Sequence, residues 1–306
     1  MTAPLLPEDI HVFERGWLSS NNIFFDDGHV SWLVDSGYST HSAQTLALVD
    51  SKLGTRPLSF LINTHLHSDH CGGNNALQKK YPLLTTLIPP GQAESVKSWD
   101  VAALTYASTG QQCPKFSFNN TLFPGASIVL GSHLWDIHAA PGHDPDAVLL
   151  FEPHRRILIS GDALWENGFG VVFPELEGVN AFSEVGATLD LIESLAPEIV
   201  IPGHGRVFSY TAQTMLAAKQ RLQAFIESPA RHARHAVKVL LKFKLLEIQQ
   251  QPIDQFCKWA ESTPYFHICR NQFFKQMDLA PFIDEMCAEL VDSKAARISE
   301  GVIYNA

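Results

Sequence analysis

The sequence of 306 residues predicts an α/β fold in which two β-sheets pack together with helices on their outer faces. Two observations favour this class. Short apolar segments separated by turn residues occur in two blocks, and each block is followed by a segment of helical character. After Ser209 the strand-like segments end and the apolar spacing becomes helical, which predicts a C-terminal helical extension.

The first block leads to the first group of candidate site residues. Residues 31–37 (SWLVDSG) predict a strand that enters a turn, and residues 40–54 predict a helix that ends at Gly54. Residues 58–64 (LSFLINT) form an apolar run, which predicts a strand buried on both faces. Residues 74–81 (NNALQKKY) predict a second helix, which begins next to a pair of glycines.

The second block has a similar order of elements. Four segments between residues 126 and 161 (ASIVL, LWDIHA, AVLLFE and RILISG) predict consecutive strands. Residues 182–197 predict a helix, and residues 198–205 (EIVIPGHG) predict a strand that ends in a loop. Each block therefore supplies one sheet and helices to cover it.

The last part of the chain has a different pattern. From Ser209 onward the apolar spacing is helical, and four prolines predict the breaks: Pro229, Pro252, Pro264 and Pro281. We therefore expect a domain at residues 1–208 that carries the site and an all-helical extension at residues 209–306. The apolar faces of these helices predict packing on the outside of the core, or a homodimer surface.

Composition and charge bear on partners and location. The formal net charge is −10, so we expect neither nucleic acid nor an anionic membrane as a partner. Five scattered cysteines without a C-x-x-C pair predict reduced thiols. The sequence has no secretory signal pattern and no apolar run of about 18 residues. We expect a cytoplasmic protein with a small-molecule substrate.

Residues 64–70 (THLHSDH) concentrate metal-ligand side chains where a buried strand is predicted to end. His65 and His67 are two positions apart, so on extended backbone both side chains point to the same side. Asp69 and His70 follow at once, and a turn would direct this second pair at a second ion. A surface loop that happens to hold histidines is the alternative. Neutral imidazole is the commonest metal ligand, which favours a metal site.

Three more candidate ligands follow predicted strands or turns. His143 follows a Pro-Gly turn, Asp162 directly follows a strand, and His204 follows another strand. Each residue alone is open to a structural interpretation, as a turn histidine, a capping aspartate or a loop histidine. Together with the first group they make five histidines and two aspartates, which suits a site with two metal ions and a bridging carboxylate.

The order H-x-H-x-D-H, P-G-H, G-D and P-G-H-G resembles the metallo-β-lactamase superfamily over roughly residues 10–210. The resemblance implies an αββα sandwich of two mixed β-sheets with the site at one edge. It also implies that His65, His67 and His143 hold the first ion. The second ion would be held by Asp69, His70 and His204, with Asp162 as the bridge. Two divalent ions are implied, with zinc preferred and iron or manganese as alternatives.

Differences between this sequence and the motifs of several subgroups of the superfamily reduce the number of expected activities. Asp162 stands where drug-hydrolysing lactamases usually have Cys or Ser, and His67 stands where flavodiiron proteins have Glu. The net charge argues against RNA as substrate. The glutathione-binding pattern of glyoxalase-II-like thioesterases is not found after His204. We therefore expect a hydrolase of a small ester, lactone or thioester that uses metal-bound hydroxide, with Asp69 as a catalytic residue that orients the water and moves its proton.

Aromatic residues near the site predict a substrate pocket. Trp165, Phe169 and Phe173 follow Asp162 and are interpreted as an apolar wall, although each alone is open to a core position. Phe266 and His267 lie in an aromatic segment of the extension, at residues 263–274. We expect this segment to cover the metal site and these two side chains to face the substrate.

Two other functions share the same ligand pattern. The first is a mononuclear iron oxygenase that resembles the persulfide dioxygenases, in which the second group of ligands holds no metal. The second is a non-enzymatic signalling effector that keeps the fold and binds partners. Metal stoichiometry and oxygen uptake distinguish the oxygenase from the hydrolase.

Overall fold

The computed structural model describes residues 4–306, and its first sheet contains six strands in sequence order. Pairing is antiparallel from β1 to β3 and parallel from β3 to β6, so the sheet is mixed. The strands are Ile10–Phe13 (β1), Asn22–Asp26 (β2), Ser31–Val34 (β3), Phe60–Ile62 (β4), Thr85–Ile88 (β5) and Asn120–Thr121 (β6).

The second sheet also contains six strands, in the order β12-β11-β10-β9-β8-β7. Only β10 and β11 pair in parallel, and their neighbours are antiparallel. The strands are Ser127–Leu130 (β7), His133–Ala139 (β8), Val148–Glu152 (β9), Ile157–Gly161 (β10), Ile199–Pro202 (β11) and Phe208–Ser209 (β12).

Seven α-helices lie between the strands of this part of the chain. A short 3-10 turn at Ser39–His41 precedes the first of them. The helices are Ser42–Leu53 (α1), Ser68–Cys71 (α2), Asn74–Lys80 (α3), Ala93–Ser98 (α4), Tyr106–Thr109 (α5), Phe173–Leu176 (α6) and Phe182–Leu195 (α7). The positive φ of Gly54, 61°, ends α1 as the sequence predicts.

Alternation of side chains along the strands builds a layered core. In β2, Phe25 joins the cluster between the two sheets, whereas Phe24 packs with residues of α1 and α3 on the outer face. In β10, Ile157 and Ile159 face the first sheet, whereas Leu158 packs with α7. Both faces are buried, which explains why these strands are apolar without polar alternation. The αββα sandwich of two mixed sheets is therefore confirmed.

The C-terminal part contains five helices and a small sheet. The helices are Ala212–Glu227 (α8), Pro229–Ile248 (α9), Ile253–Ser262 (α10), Pro264–Phe273 (α11) and Leu279–Asp292 (α12). The strands are Gln250–Pro252 (β13), Ala296–Ser299 (β14) and Val302–Asn305 (β15), in the order β13-β15-β14. The C-terminal helices are confirmed, but the expectation that this region is entirely helical is wrong.

Three of the four prolines stand where helices begin or strands end. Pro229 and Pro264 are the first residues of α9 and α11, and Pro252 ends β13. Pro281 lies in the first turn of α12, where its missing N–H leaves no helical hydrogen bond unmade, so the break expected there is wrong.

The extension does not separate cleanly from the sandwich. Met215, Ala218 and Leu222 of α8 pack in the same cluster as α7. Val171 and Leu176, which precede α7, pack in the cluster formed by α9 to α12. The division at residues 208 and 209 falls inside β12 and stays a prediction. Among residues 4–306, no helix combines the length and apolar character that crossing a bilayer requires.

Candidate metal centre

Strand ends bring the seven candidate ligands to one edge of the sandwich. His65 and His67 follow β4, and α2 carries Asp69 and His70. The remaining three ligands follow strands of the second sheet: His143 after β8, Asp162 after β10 and His204 after β11. Because β10 and β11 run in parallel, their carboxyl ends and the ligands that follow them lie side by side.

The seven side chains form two groups, and within each group the ligand atoms all lie within 4.8 Å of one another. One group contains His65, His67 and His143. The other contains Asp69, His70, Asp162 and His204. The structure thus brings together every side chain that the sequence analysis singled out as a metal ligand.

Asp162 faces both groups. Its Oδ2 lies 3.4 Å from His143 Nε2 in the first group and 3.8 Å from His204 Nε2 in the second. Its Oδ1 lies 3.4 Å from His70 Nε2. Asp69 Oδ2 is 3.0 Å from His204 Nε2 at the other side of the second group. The arrangement is one carboxylate between two sets of nitrogen donors.

Unpaired ring nitrogens test whether this arrangement fits a metal. The Nε2 atoms of His65 and His70 are buried and make no hydrogen bond within residues 4–306. A buried polar atom without a partner is costly, so these nitrogens need a cation or a water in the space that they face. The donor set of imidazole nitrogen and carboxylate oxygen is one that zinc, iron and manganese accept. The residues fit a metal centre.

A second layer of hydrogen bonds orients the ligands. His70 Nδ1 lies 2.8 Å from Asp35 Oδ2, and Asp35 also accepts hydrogen bonds from the Thr64 amide and hydroxyl. The carbonyl oxygen of Val171 accepts a hydrogen bond from His143 Nδ1. Such bonds fix the tautomer, so that the opposite nitrogen points into the site. Asp35 follows β3 directly, and this strand-end position is a signal that the sequence analysis missed.

The electrostatics of the two groups differ. Burial, with repulsion from neighbouring imidazoles, lowers the pKa of His65 well below its usual value, and burial lowers the pKa of His67 and His143 to about 4. Burial opposes the charged form of His70 too, but the carboxylates of Asp162 and Asp35 outweigh it and raise its pKa. The first group is therefore neutral imidazole at pH 7, which is the form that binds metal.

Close backbone approach explains one glycine of the P-G-H-G motif. A Cβ on Gly203 would lie 2.2 Å from Asp162 Oδ1 and 2.8 Å from His70 Cε1. The strand end after β11 can therefore pass the Asp162 carboxylate only without a side chain at this position.

A cavity of about 300 Å³ opens over the metal centre. His67, Asp69, His143, Asp162 and His204 form part of its lining. The rest comes from several distant parts of the chain, namely Trp17, Thr105, Thr109, Gln111, Trp165, Asn167, Gly170, Val171, Phe173, Arg221, His235, Val239, Leu240, Phe243 and Tyr265. The site is thus a mostly apolar cavity with the ligands at one side.

Two of the five predicted pocket residues line this cavity, and three do not. Trp165 and Phe173 do, whereas Phe169 is buried in the core beneath, where it packs against Phe225. Phe266 is fully buried among the C-terminal helices, and His267 lies on the outside, near the carbonyl oxygen of Glu261. Consecutive residues of a helix face different directions, so α11 presents Tyr265 to the cavity instead.

Trp17 is the cavity residue that the sequence signals least. Its ring stacks on His204, with centroids 5.4 Å apart and an angle of 9° between the planes. It also contacts Trp165 edge-on, at 5.3 Å. No motif surrounds Trp17, so it becomes recognisable only when the fold brings it to the ligand.

Fold and site together define a class of protein, namely an αββα sandwich with a histidine and aspartate metal centre at one sheet edge. The family model described as the metallo-β-lactamase superfamily matches residues 15–204, and the chain belongs to this superfamily. The resemblance seen in the ligand motifs is therefore confirmed.

Two curated relatives have the same name, and both have low identity to this chain. A hydroxyacylglutathione hydrolase of Brucella anthropi is 26% identical over 168 residues, which are 54% of this chain and 53% of that protein. The chain thus spans about half the length of this relative. A hydroxyacylglutathione hydrolase of Legionella pneumophila is 27% identical over 238 residues, covering 70% of this chain and 80% of that protein.

Solved structures include one that matches almost the whole chain. A metallo-β-lactamase family protein of Thermus thermophilus aligns with 99% of this chain and 100% of its own, with a TM-score of 0.59 and 15% identity. The C-terminal helices are therefore part of a fold with a full-length counterpart. A protein named TTHA1623, solved in a di-iron-bound form, is 26% identical with a TM-score of 0.52, covering 65% of this chain and 94% of that one.

Proposed function

We propose that this protein is a dinuclear metal-dependent hydrolase of a small ester, lactone or thioester. The observation that carries the proposal is the position of Asp162, whose carboxylate faces two separate groups of ligand atoms. The name of the curated relatives, hydroxyacylglutathione hydrolase, favours a thioester among the three substrate classes. The di-iron form of TTHA1623 supports two ions rather than one.

Each group of ligands has a role in the proposal. His65, His67 and His143 would hold the first ion, Asp69, His70 and His204 the second, and Asp162 both. Two divalent ions would supply a water whose pKa is lowered toward about 7 and a Lewis acid for the scissile carbonyl oxygen. Zinc is the metal we propose, with iron and manganese as alternatives.

The chain's own side chains contribute orientation and exclusion of water. Asp69 lines the cavity and is proposed to orient the attacking water and accept its proton. Trp17, Trp165 and Phe173 provide apolar surface beside the ligands, which suits an acyl chain or an aromatic group. With such a group bound, this apolar surface keeps bulk water from competing for the same contacts.

Location and partners are part of the proposal as well. We propose a cytoplasmic protein with a small-molecule substrate. We propose no nucleic acid or membrane partner, since the net charge is −10. For the apolar faces of the C-terminal helices, we propose a homodimer surface as the alternative to packing on the core.

Elemental analysis of the purified protein, combined with a hydrolysis screen of esters, lactones and thioesters, tests the proposal. We expect two metal ions per chain and turnover of at least one of these substrate classes. One iron per chain with oxygen uptake on a persulfide would instead establish the mononuclear oxygenase. A protein without metal and without turnover of any substrate would favour the non-enzymatic effector.

A further inference from the structure

A second, positively charged cleft adjoins the cavity over the metal centre. It has a volume of about 710 Å³ and lies between α8 and α9. Its lining comprises Asn167, Gln220, Arg221, Ala224, Phe225, Arg231, Arg234, His235, Lys238 and Glu289. Asn167, Arg221 and His235 line both spaces, so the cleft and the cavity meet at these three side chains.

The charge of this cleft is opposite to that of the whole chain. Its lining carries four cationic side chains and one carboxylate, a balance of 4 − 1 = +3, whereas the chain has a net charge of −10. Glu289 contacts Arg234 and Lys238. Within residues 4–306, Arg221 and Arg231 form no salt bridge, so two cations of the cleft lack a counter-ion in the protein.

Arg221 packs against two aromatic rings and makes one side-chain hydrogen bond. Its guanidinium lies 5.5 Å from the centre of the Phe169 ring and 5.2 Å from that of Phe225. Its Nη2 donates a hydrogen bond to His235 Nε2 at 2.8 Å, whereas its Nε is buried and has no partner within the described residues. A guanidinium has five N–H donors, and within residues 4–306 those of Arg221 make only this one hydrogen bond.

Gly168 lets the loop that follows Asp162 pack closely against the Arg221 side chain. A Cβ on Gly168 would lie 2.8 Å from Arg221 Cδ, and Gly168 has a φ of +114°, which side chains rarely adopt. The same loop is tied to the bridging ligand, because the Gly170 amide donates to the Asp162 carbonyl oxygen at 2.9 Å. The backbone that follows Asp162 therefore contacts Arg221 and positions its side chain beside the candidate metal centre.

We infer that Arg221, with Arg231 at the rim, binds a carboxylate or phosphate group of the substrate while the scissile bond lies at the metal centre. A half-buried cation without a counter-ion is costly, and a bound anion offsets that cost. Guanidinium groups pair with carboxylate and phosphate in a bidentate geometry. The inference rests on the proposed function and deepens it, because it selects an acyl ester or thioester with an anionic carrier over a neutral lactone.

Calorimetric titration with non-hydrolysable thioethers tests the inference without turnover. Three ligands carry the same acyl-like chain on different carriers: N-acetylcysteamine, which is neutral, glutathione, which supplies carboxylates, and coenzyme A, which supplies phosphates. We expect at least one anionic ligand to bind about tenfold or more tightly than the neutral one, because charge-assisted hydrogen bonds are the stronger kind. Tighter binding of the glutathione ligand would identify the bound group as a carboxylate, and tighter binding of the coenzyme A ligand would identify it as a phosphate.

Variants of Arg221 and Arg231 test whether these side chains cause the tighter binding of anionic ligands. We expect Arg221→Gln to bind the anionic and neutral ligands about equally, whereas Lys258→Gln, an exposed lysine on α10 outside both spaces, should keep the full preference. Arg231→Glu alters an exposed side chain of the same cleft, so it decides the question if Arg221→Gln does not fold. It should reduce the preference and make it less sensitive to salt.

The outcomes separate this inference from the proposed function. Equal binding of all three ligands by the unaltered protein, or an unchanged preference in both arginine variants, overturns the anion subsite. Hydrolysis of the neutral thioester in that case leaves the proposed function standing. A clear anion preference without hydrolysis of any ester, lactone or thioester would overturn the proposed function and retain the subsite.

Discussion

At the scale of single residues, Asp162 is the side chain whose carboxylate lies near both groups of candidate ligands. Replacement by alanine (Asp162→Ala) removes the carboxylate between them and would leave two cations facing each other. We expect kcat/KM to fall by more than about 100-fold, because loss of an outer partner of a ligand already costs about 10- to 100-fold. Steady-state kinetics and elemental analysis measure the two effects.

The control for Asp162 is Asp190→Ala, which removes an exposed carboxylate of α7 that pairs with Lys219. It should keep both ions and normal turnover. Two ions and near-normal activity in Asp162→Ala would show that the bridging assignment is wrong.

Asp35 acts on the second group of ligands through His70. Its carboxylate is buried, lies 2.8 Å from His70 Nδ1, and is not itself close enough to be grouped with the ligands. Asp35→Asn weakens this hydrogen bond, so we expect affinity for the second ion to fall by about 10- to 100-fold while the first ion stays bound. Competition with a metal-binding dye measures both affinities. An equal loss from both groups would instead indicate general damage to the fold.

Residue patterns explain which parts of the site could be predicted. The seven ligand candidates follow predicted strands and turns and have side chains of the types that bind metals, so their motifs can be recognised in the sequence before the fold brings them together. Asp35 obeys the same strand-end rule but stands alone, without a neighbouring histidine to draw attention to it. Trp17 and Arg221 carry no local signal, since only the packing of distant segments places them beside the site.

At the scale of elements, α9 rather than the expected part of α11 forms the wall of the cavity. Phe243 of α9 lines it and packs edge-on against Tyr38, with ring centroids 5.0 Å apart. Phe243→Ala removes apolar surface, so we expect KM for a substrate with a long acyl chain to rise roughly tenfold, in line with the loss of one buried aromatic side chain. Kinetics over a series of acyl chain lengths provide the measurement.

His267→Ala is the matched control for Phe243. The imidazole of His267 lies on the outer side of α11, so its removal should leave KM and metal content unchanged. A change of chain-length preference in His267→Ala would mean that the outer side of α11 reaches the substrate after all.

His232 ties α9 to the loop that precedes α6, and it makes stability depend on pH. Its buried Nε2 accepts a hydrogen bond from the Val172 amide, and burial lowers its pKa to about 3. The unfolded chain therefore binds more protons than the folded one between about pH 3 and the ordinary pKa of about 6.5. The stabilising contribution is complete above about pH 6.5 and is lost as the pH falls toward about 3.

Urea unfolding at several pH values tests this contribution. We expect the free energy of unfolding to decrease below about pH 6.5, and His232→Gln to remove up to about 1.4 kcal/mol per pH unit of that slope. His154→Gln, in an exposed turn, should keep the slope of the unaltered protein. Parallel profiles for the unaltered protein and His232→Gln would show that His232 is not held neutral in the folded state.

The small C-terminal sheet shows where element prediction stops. Strands β14 and β15 are joined by Glu300 and Gly301, both with positive φ, which is the turn expected for a two-residue hairpin. The segments are only four residues long and half exposed, so their alternation is weak beside the strong helical periodicity before them. In the sandwich, by contrast, the sequence predicts β3, β4 and β7 to β11 from their apolar runs, whereas β1, β2, β5, β6 and β12 are recognised only in the structure.

At the scale of the whole molecule, one apolar cluster connects the sandwich to its extension. Val171, in the loop that follows Asp162, and Leu176 of α6 are buried with residues of α9 to α12. Removing the extension would expose this surface, so we expect the intact chain to unfold in a single cooperative transition. Differential scanning calorimetry should give equal calorimetric and van't Hoff enthalpies. Two resolved transitions would mean that the extension is an independent domain.

The distribution of the site along the chain has an evolutionary consequence. All seven metal-ligand candidates lie between residues 65 and 204, whereas the three cleft arginines and part of the apolar wall lie between residues 221 and 265. On the proposed function, substitutions in the second stretch can change substrate recognition without altering the candidate metal ligands. Selection can therefore act on reactivity and on recognition separately, so that new substrate preferences can arise while an old reaction is retained.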